Sequence, residues 1–196
     1  MLARLIRFAE TLGVNSLPVV GLVAGDWSWS TALGVYWFEN LIAAALVALR
    51  LLLHRRWRAA LDERLPKELK TPGHFFTLTL VFNLAHGLFL GMVVLLVLKS
   101  APDVVALEQA FYVLLAMQGL AFGFDLWTLE QWPVDRVSAL AGHLLGRVVL
   151  VHLSIIAGMV AFAVFEDAWT FFAVFAGLKG LSDVAQLLPR RQTVSG

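Results

Sequence analysis

Tyr36-Trp37-Phe38-Glu39-Asn40 decides how this chain is read. The five residues lie inside an apolar run from Trp27 to Leu53, long enough to cross a bilayer as a helix. A carboxylate in such a run needs an explanation. At ~1.5 Å rise per residue, Glu39 falls about 16 Å from the outer end of the run. That is near the midplane of a hydrocarbon core ~30 Å thick. Burying a charge there costs roughly 2.5–3.5 kcal/mol on insertion scales, so such a residue faces protein and has a partner.

The composition agrees with a membrane setting. Of 196 residues, 60% are hydrophobic and only 15% charged, where soluble domains run nearer 45–50% and about 25%. Mean hydropathy is +0.80. The net charge of +1 gives no field that would attract nucleic acid. The absence of cysteine excludes disulfides, thiolate metal sites and a cysteine nucleophile. The early apolar run is interrupted by Glu10 and Asn15 and lacks a small-residue cleavage site, so no signal peptide is expected.

Six apolar segments follow one another with short polar breaks, over one transmembrane domain, residues 1–196. The fold expected is an all-α polytopic membrane bundle of about six transmembrane helices. The first segment, Leu5 to Ala24, holds Glu10, Thr11, Asn15 and Pro18, so a bent or broken helix is expected there. Arg50, Arg55, Arg56, Arg58, Arg64, Lys67 and Lys70 cluster after the second segment. With Arg4, Arg7, Arg136, Arg190 and Arg191 they fall on one side of a six-span arrangement. The positive-inside rule makes that side, and both termini, cytoplasmic, in a cell inner (cytoplasmic) membrane. The pairs Gly21/Gly25, Gly87/Gly91, Gly119/Gly123, Gly142/Gly146 and Ser154/Gly158 predict close helix packing.

Counting inward from each outer end places polar residues in a single slab. Glu39 and Lys179 lie about 16 Å down, His86 about 18–20 Å, His152 about 20 Å and Gln118 about 21 Å. Tyr36, Glu39 and Asn40 share one face of the second helix, as do Asn83 and His86 on the third and Lys179 and Asp183 on the sixth. His152 falls on the opposite face of its helix from His143, Arg147, Ser154 and Gly158. It therefore predicts either a central fifth helix or a separate contact. Asp125, His143 and Arg147 read as anchors near the inner surface, and His54 and His74 as solvated residues of the inner loop.

Glu39, His86, His152 and Asp183 form a donor set suited to Zn, Mn or Fe. Asn83, Asn40 and Tyr36 are the residues that would orient ligands or contact a cofactor. The first expectation is a metal-dependent membrane-embedded hydrolase, with Glu39 and Lys179 as catalytic groups acting on a small-molecule or lipid substrate. The alternative is a small-solute or proton-coupled transporter or channel, for which six spans suggest a homodimer. A second alternative is b-type haem with His86 and His152 as axial ligands. The plainest reading is a buried Lys179–Asp183 ion pair, with Glu39 bonded to Tyr36, Asn83 or Lys179 and His86 a core residue.

Asn15-Ser16-Leu17-Pro18-Val19-Val20-Gly21 and Tyr36-Trp37-Phe38-Glu39-Asn40 resemble an uncharacterised prokaryotic family of multi-pass membrane proteins. It is the domain-of-unknown-function family numbered 6498. His86-Gly87, Leu150-Val151-His152 and Leu178-Lys179 through Asp183 are similar to its later motifs. The resemblance implies a helical membrane protein without an assigned activity. It also implies that Glu39, His86, His152, Lys179 and Asp183 belong together.

Overall fold

The computed structural model describes residues 2–57, 72–129 and 131–187. Helix α1 is Leu2–Ala24, α2 Trp29–Trp57, α3 Pro72–Val93, α4 Val104–Leu129, α5 Val134–Phe165 and α6 Ala168–Leu187. The last turn of α3 widens into a π-helix over Val94–Leu98 and stops at Lys99, which is left-handed at φ 49°. The basic residues Arg58, Arg64, Lys67, Lys70, Arg190 and Arg191 lie outside the described residues.

Five of the six helices, α1 to α5, are long and apolar enough to cross a membrane. Six such spans were expected. The sixth helix is 20 residues long, but Lys179 and Asp183 interrupt its apolar stretch. Those side chains are buried in protein, so the shortfall in α6 comes from the site it carries. A bent or broken first helix was expected; α1 has no break and runs through Pro18. Proline removes one N–H and clashes with the carbonyl four residues back, here that of Val14. Val14 packs into a buried cluster with Val35, Ile42, Ala110 and Leu114 of α2 and α4, and this tertiary contact holds the helix together.

The bundle is apolar outside and polar inside. Leu88, Leu95, Leu120, Val160 and Leu181 are exposed, whereas Glu39, Asn40, Asn83, His86, Gln118, Lys179 and Asp183 are buried. In water this distribution would forfeit hydrophobic burial and desolvate charge; in lipid both terms reverse sign. Helix α2 is the axle. It contributes to all three buried apolar clusters, meeting Phe75 and Leu144 at one end, Phe171, Phe172 and Phe175 at the other, and α1 and α4 along its side. The most extensive helix pair is α5 with α6.

Glycine permits close approach at some of the expected small-residue pairs. A Cβ on Gly87 would come within 2.7 Å of Trp37, and one on Gly158 within 2.8 Å of Phe171. Gly91, Gly119, Gly123, Gly142 and Gly146 have no such neighbour within 4 Å. The glycine spacing therefore marks packing at α2–α3 and α5–α6, close approach of Trp27 to Gly21 and Gly25 at the end of α1, and open surface at the other pairs.

A polar clasp closes one end of the bundle. Ser30 Oγ donates to Ser100 O at 2.6 Å, Ser28 Oγ to Ala101 O at 3.1 Å, and the Asp103 N–H to Thr31 Oγ1 at 2.8 Å. The Asp103 carboxylate then accepts from the Val105 and Ala106 N–H groups and caps α4. Asp167 caps α6 in the same way, accepting from the Thr170 hydroxyl and N–H at 2.9 Å each. Those hydrogen bonds, the hydroxyl's foremost, hold its carboxyl below the usual carboxylate range.

Candidate functional site

Four charged side chains close into a ring between α2, α5 and α6. Glu39 Oε1 pairs with Arg147, and Glu39 Oε2 lies 2.8 Å from Lys179 Nζ. Lys179 Nζ lies 2.9 Å from Asp183 Oδ2, and Arg147 Nε 3.4 Å from Asp183 Oδ1. Two anions and two cations alternate, so the ring is neutral as a whole. Each charge taken from water regains opposite charge on two sides, which offsets the desolvation that a lone buried ion would suffer.

Neutral groups complete the ring. Asn15 on α1 accepts from Lys179 Nζ at 2.9 Å and donates to Asp183 Oδ2 at 3.0 Å. Lys179 Nζ lies 4.8 Å from the centroid of the Tyr36 ring, and the Tyr36 hydroxyl donates to Asn15 O at 3.3 Å. On α4, Gln118 Nε2 reaches the backbone carbonyl of Glu39 at 3.4 Å. The site thus draws on α1, α2, α4, α5 and α6, and brings Glu39, Lys179, Asp183 and Tyr36 together.

His86 and His152 lie elsewhere. Their Nδ1 and Nε2 atoms are 3.4 Å apart and their rings meet edge to face with centroids at 4.6 Å, between α3 and α5. His152 Nδ1 is 2.7 Å from Val148 O. A carbonyl only accepts, so that nitrogen carries hydrogen; neutral His152 then presents a lone pair at Nε2, and His86 Nδ1 is the donor of the pair. Phe82 closes the other side of the His152 ring. Asn40 and Asn83 line the same small recess rather than the charged ring. Asn83 donates to Thr79 O at 2.7 Å, and its own backbone carbonyl accepts from Trp37 Nε1 at 2.8 Å. The wheel conflict at His152 is thereby settled: α5 turns Arg147 to α2 and α6, and His152 to α3.

The predicted metal set therefore does not converge. Glu39 and Asp183 are held by Arg147 and Lys179, and His86 and His152 are held by each other. Among the described residues no three His, Asp or Glu side chains gather as metal ligands would. The contact between the two imidazoles leaves no slot between them for a macrocycle.

Three residues read as surface anchors belong to the interior. Arg147 is a member of the ring. Asp125 binds Arg7 at 2.6 Å and Arg50 at 2.9 Å, in a second ionic cluster toward the end of the bundle that holds the N-terminus. His143 lines the space between the two clusters. His54 is also buried, 2.9 Å from Trp132 O, rather than solvated in the loop.

That space is a cavity of about 200 Å³, lined by both clusters together with Glu10, Asn15 and Gln118. It reaches from Glu39 and Asp183 down to Arg7 and Asp125. On the far side of Glu39 the interior is filled by Leu33, Tyr36, Phe171, Phe172 and Phe175, each at most 2% exposed. Tyr36 meets Phe175 edge to face at 5.1 Å. The charged ring is thus approached by a polar cavity from one side and backed by an aromatic plug on the other.

An apolar-surfaced helical bundle with a charged interior defines a membrane protein built around a buried ionic site. The chain belongs to a family of unknown function, numbered 6498 among such families, whose model matches residues 3–195. No curated protein and no solved structure matches it.

Proposed function

We propose that this protein is a membrane carrier for a small polar solute, with Glu39, Arg147, Lys179 and Asp183 as its central binding site. The observation that carries the reading is the 200 Å³ cavity between the ionic cluster around Asp125 and the ring around Glu39. A structural ion network needs no cavity beside it. At ~30 Å³ per liquid water, this space holds about six or seven water-sized groups, which fits an amino-acid-sized molecule. It is smaller than the ~300 Å³ at which drug-sized ligand sites begin.

The charge pattern sets the solute class. The ring is neutral, and a solute of net charge would upset that balance in a poorly solvated interior. A zwitterion preserves it: a carboxylate replaces Glu39 or Asp183 beside Arg147, while an ammonium replaces the cation beside the released carboxylate. The aromatic plug above Tyr36 supports a single open side, as an alternating carrier requires. The hydrolase reading loses ground, because both carboxylates are engaged by cations and both imidazoles point elsewhere.

The setting that suits this function is a cytoplasmic membrane with the Asp125 end inside. Arg7, Arg50, Arg55, Arg56 and Arg136 lie toward that end, and Lys99 is the one described basic residue at the other. The test is uptake of radiolabelled glycine, alanine, serine and betaine into proteoliposomes of the purified protein. At least one is expected to accumulate above empty liposomes, and Glu39→Gln to lower that uptake about tenfold or more. Uptake of all four at the level of empty liposomes, with folded protein, overturns the reading.

A further inference from the structure

A groove on the bilayer-facing side of the bundle lies outside the ionic ring. It follows α4 from Thr128 to Leu115, about 20 Å at ~1.5 Å per residue, and Ile6 and Arg7 of α1 form its opposite wall. Its volume is about 940 Å³. The floor is low because Gly119 and Gly123 carry no side chain there; a Cβ on either would meet nothing within 4 Å. Leu120, Phe124 and Trp127 make the sides apolar, and Trp127 is 90% exposed.

The groove is not apolar throughout. Arg7, Asp125 and Arg136 line the end nearest the membrane surface. Asp125 is already shared between Arg7 and Arg50. Arg136 has no carboxylate partner among the described residues; its guanidinium lies 3.7 Å from the centroid of the Trp132 ring, which also carries Arg7 at 5.5 Å. Two guanidinium groups thus share Asp125, Arg136 lines the same end of the groove, and Glu10 is the next carboxylate on α1. Among the described side chains, the end of the groove keeps an excess of positive charge.

An apolar trough slightly longer than one leaflet of a ~30 Å core, ending in arginines, matches one amphiphile. We propose that an anionic phospholipid docks here, one acyl chain along α4 over Gly119 and Gly123 and its phosphate against Arg136 and Arg7. Arginine presents several donors in a planar fork, which suits phosphate oxygens. A second copy of the chain fits less well. A two-fold contact through this face would set Arg136 of each copy against the same arginine cluster of the other, where Asp125 is already shared between Arg7 and Arg50.

Native mass spectrometry of the detergent-purified protein tests this. The probes are dioleoyl phosphatidylglycerol and dioleoyl phosphatidylcholine, added in equal amounts. Phosphatidylglycerol is expected to be retained over phosphatidylcholine by about fivefold, the factor that one arginine contributes near an anionic surface. Arg136→Gln brings the ratio close to one, Arg136→Lys keeps most of it, and Gly123→Leu lowers retention of both lipids by filling the groove. Equal retention by the unaltered protein overturns the proposal whether or not any variant folds. An unchanged ratio in Arg136→Gln overturns it too. So does a dimer that Gly123→Leu dissociates while lipid retention stays the same.

Discussion

Two polar groups occupy nearly the same depth in this bundle, on different sides of α5, and they are built in opposite ways. The Glu39–Arg147–Asp183–Lys179 ring carries four formal charges, draws on three helices and borders a cavity. The His86–His152 pair is held by one long contact and one backbone carbonyl, between two helices and under Phe82. The contrast shows what low dielectric demands of each. Charges must be balanced as a set, so losing one leaves its partners stranded. Neutral imidazoles need only their hydrogen bonds, so losing one strands a single neutral polar atom rather than a charge, a smaller penalty.

The sharpest way to break that contrast is Lys179→Met. It removes one cation from a neutral ring and leaves a net negative charge buried beside Tyr36. A loss of about 3–5 kcal/mol is expected, read as a large fall in thermal midpoint in detergent. Adding Glu39→Gln restores neutrality and should recover a substantial part of the loss. If the double variant is as unstable as Lys179→Met alone, charge balance is not what holds the ring.

A smaller effect is expected at the wall that separates the two sites. Gly87→Ala places a Cβ 2.7 Å from Trp37 Nε1. That indole is tethered to the Asn83 carbonyl and cannot swing away freely. Overpacking of this kind costs ~1–3 kcal/mol. A thermal midpoint equal to that of the unaltered protein would mean that α2 and α3 approach less closely than described. The smallest change is His86→Leu, which exchanges one long hydrogen bond for apolar contact. It leaves the His152 Nε2 lone pair without its donor, should cost about 1 kcal/mol, the low end for one unpaired neutral group, and should leave solute uptake intact. Loss of uptake in this variant with stability preserved would join the two sites into one.

Helix number, helix order and the trio Glu39, Lys179 and Asp183 are legible in the sequence because apolar runs and depth along a helix follow directly from residue spacing. Depth alone does not fix direction. His152 and Glu39 share a depth, but they lie on opposite sides of α5, and a resemblance that groups them cannot separate the faces. Arg147 is missed for another reason: counting along the helix puts it near the inner surface, whereas its long side chain pairs with Glu39 and Asp183. Asn15 was within reach of the same count, as the polar residue of α1 at comparable depth. The expectation of a bent or broken first helix drew attention away from it, whereas α1 is one unbroken helix through Pro18. The cavity has no sequence signature, since it is space left between helices rather than a property of any one of them.

The clasp at the closed end has a mechanical consequence. Ser28, Ser30 and Thr31 fasten the start of α2 to Ser100, Ala101 and Asp103, so α2, α3 and α4 are bolted together there. Among the described residues no hydrogen bond ties the Glu166–Asp167 turn to that assembly; Trp29 meets Trp169 and Phe172 through ring faces alone. Ring contacts slide, whereas hydroxyl–carbonyl bonds must break. The α5–α6 hairpin is therefore the lever of the molecule, and Arg147, Lys179 and Asp183 all ride on it while Glu39 stays with the frame.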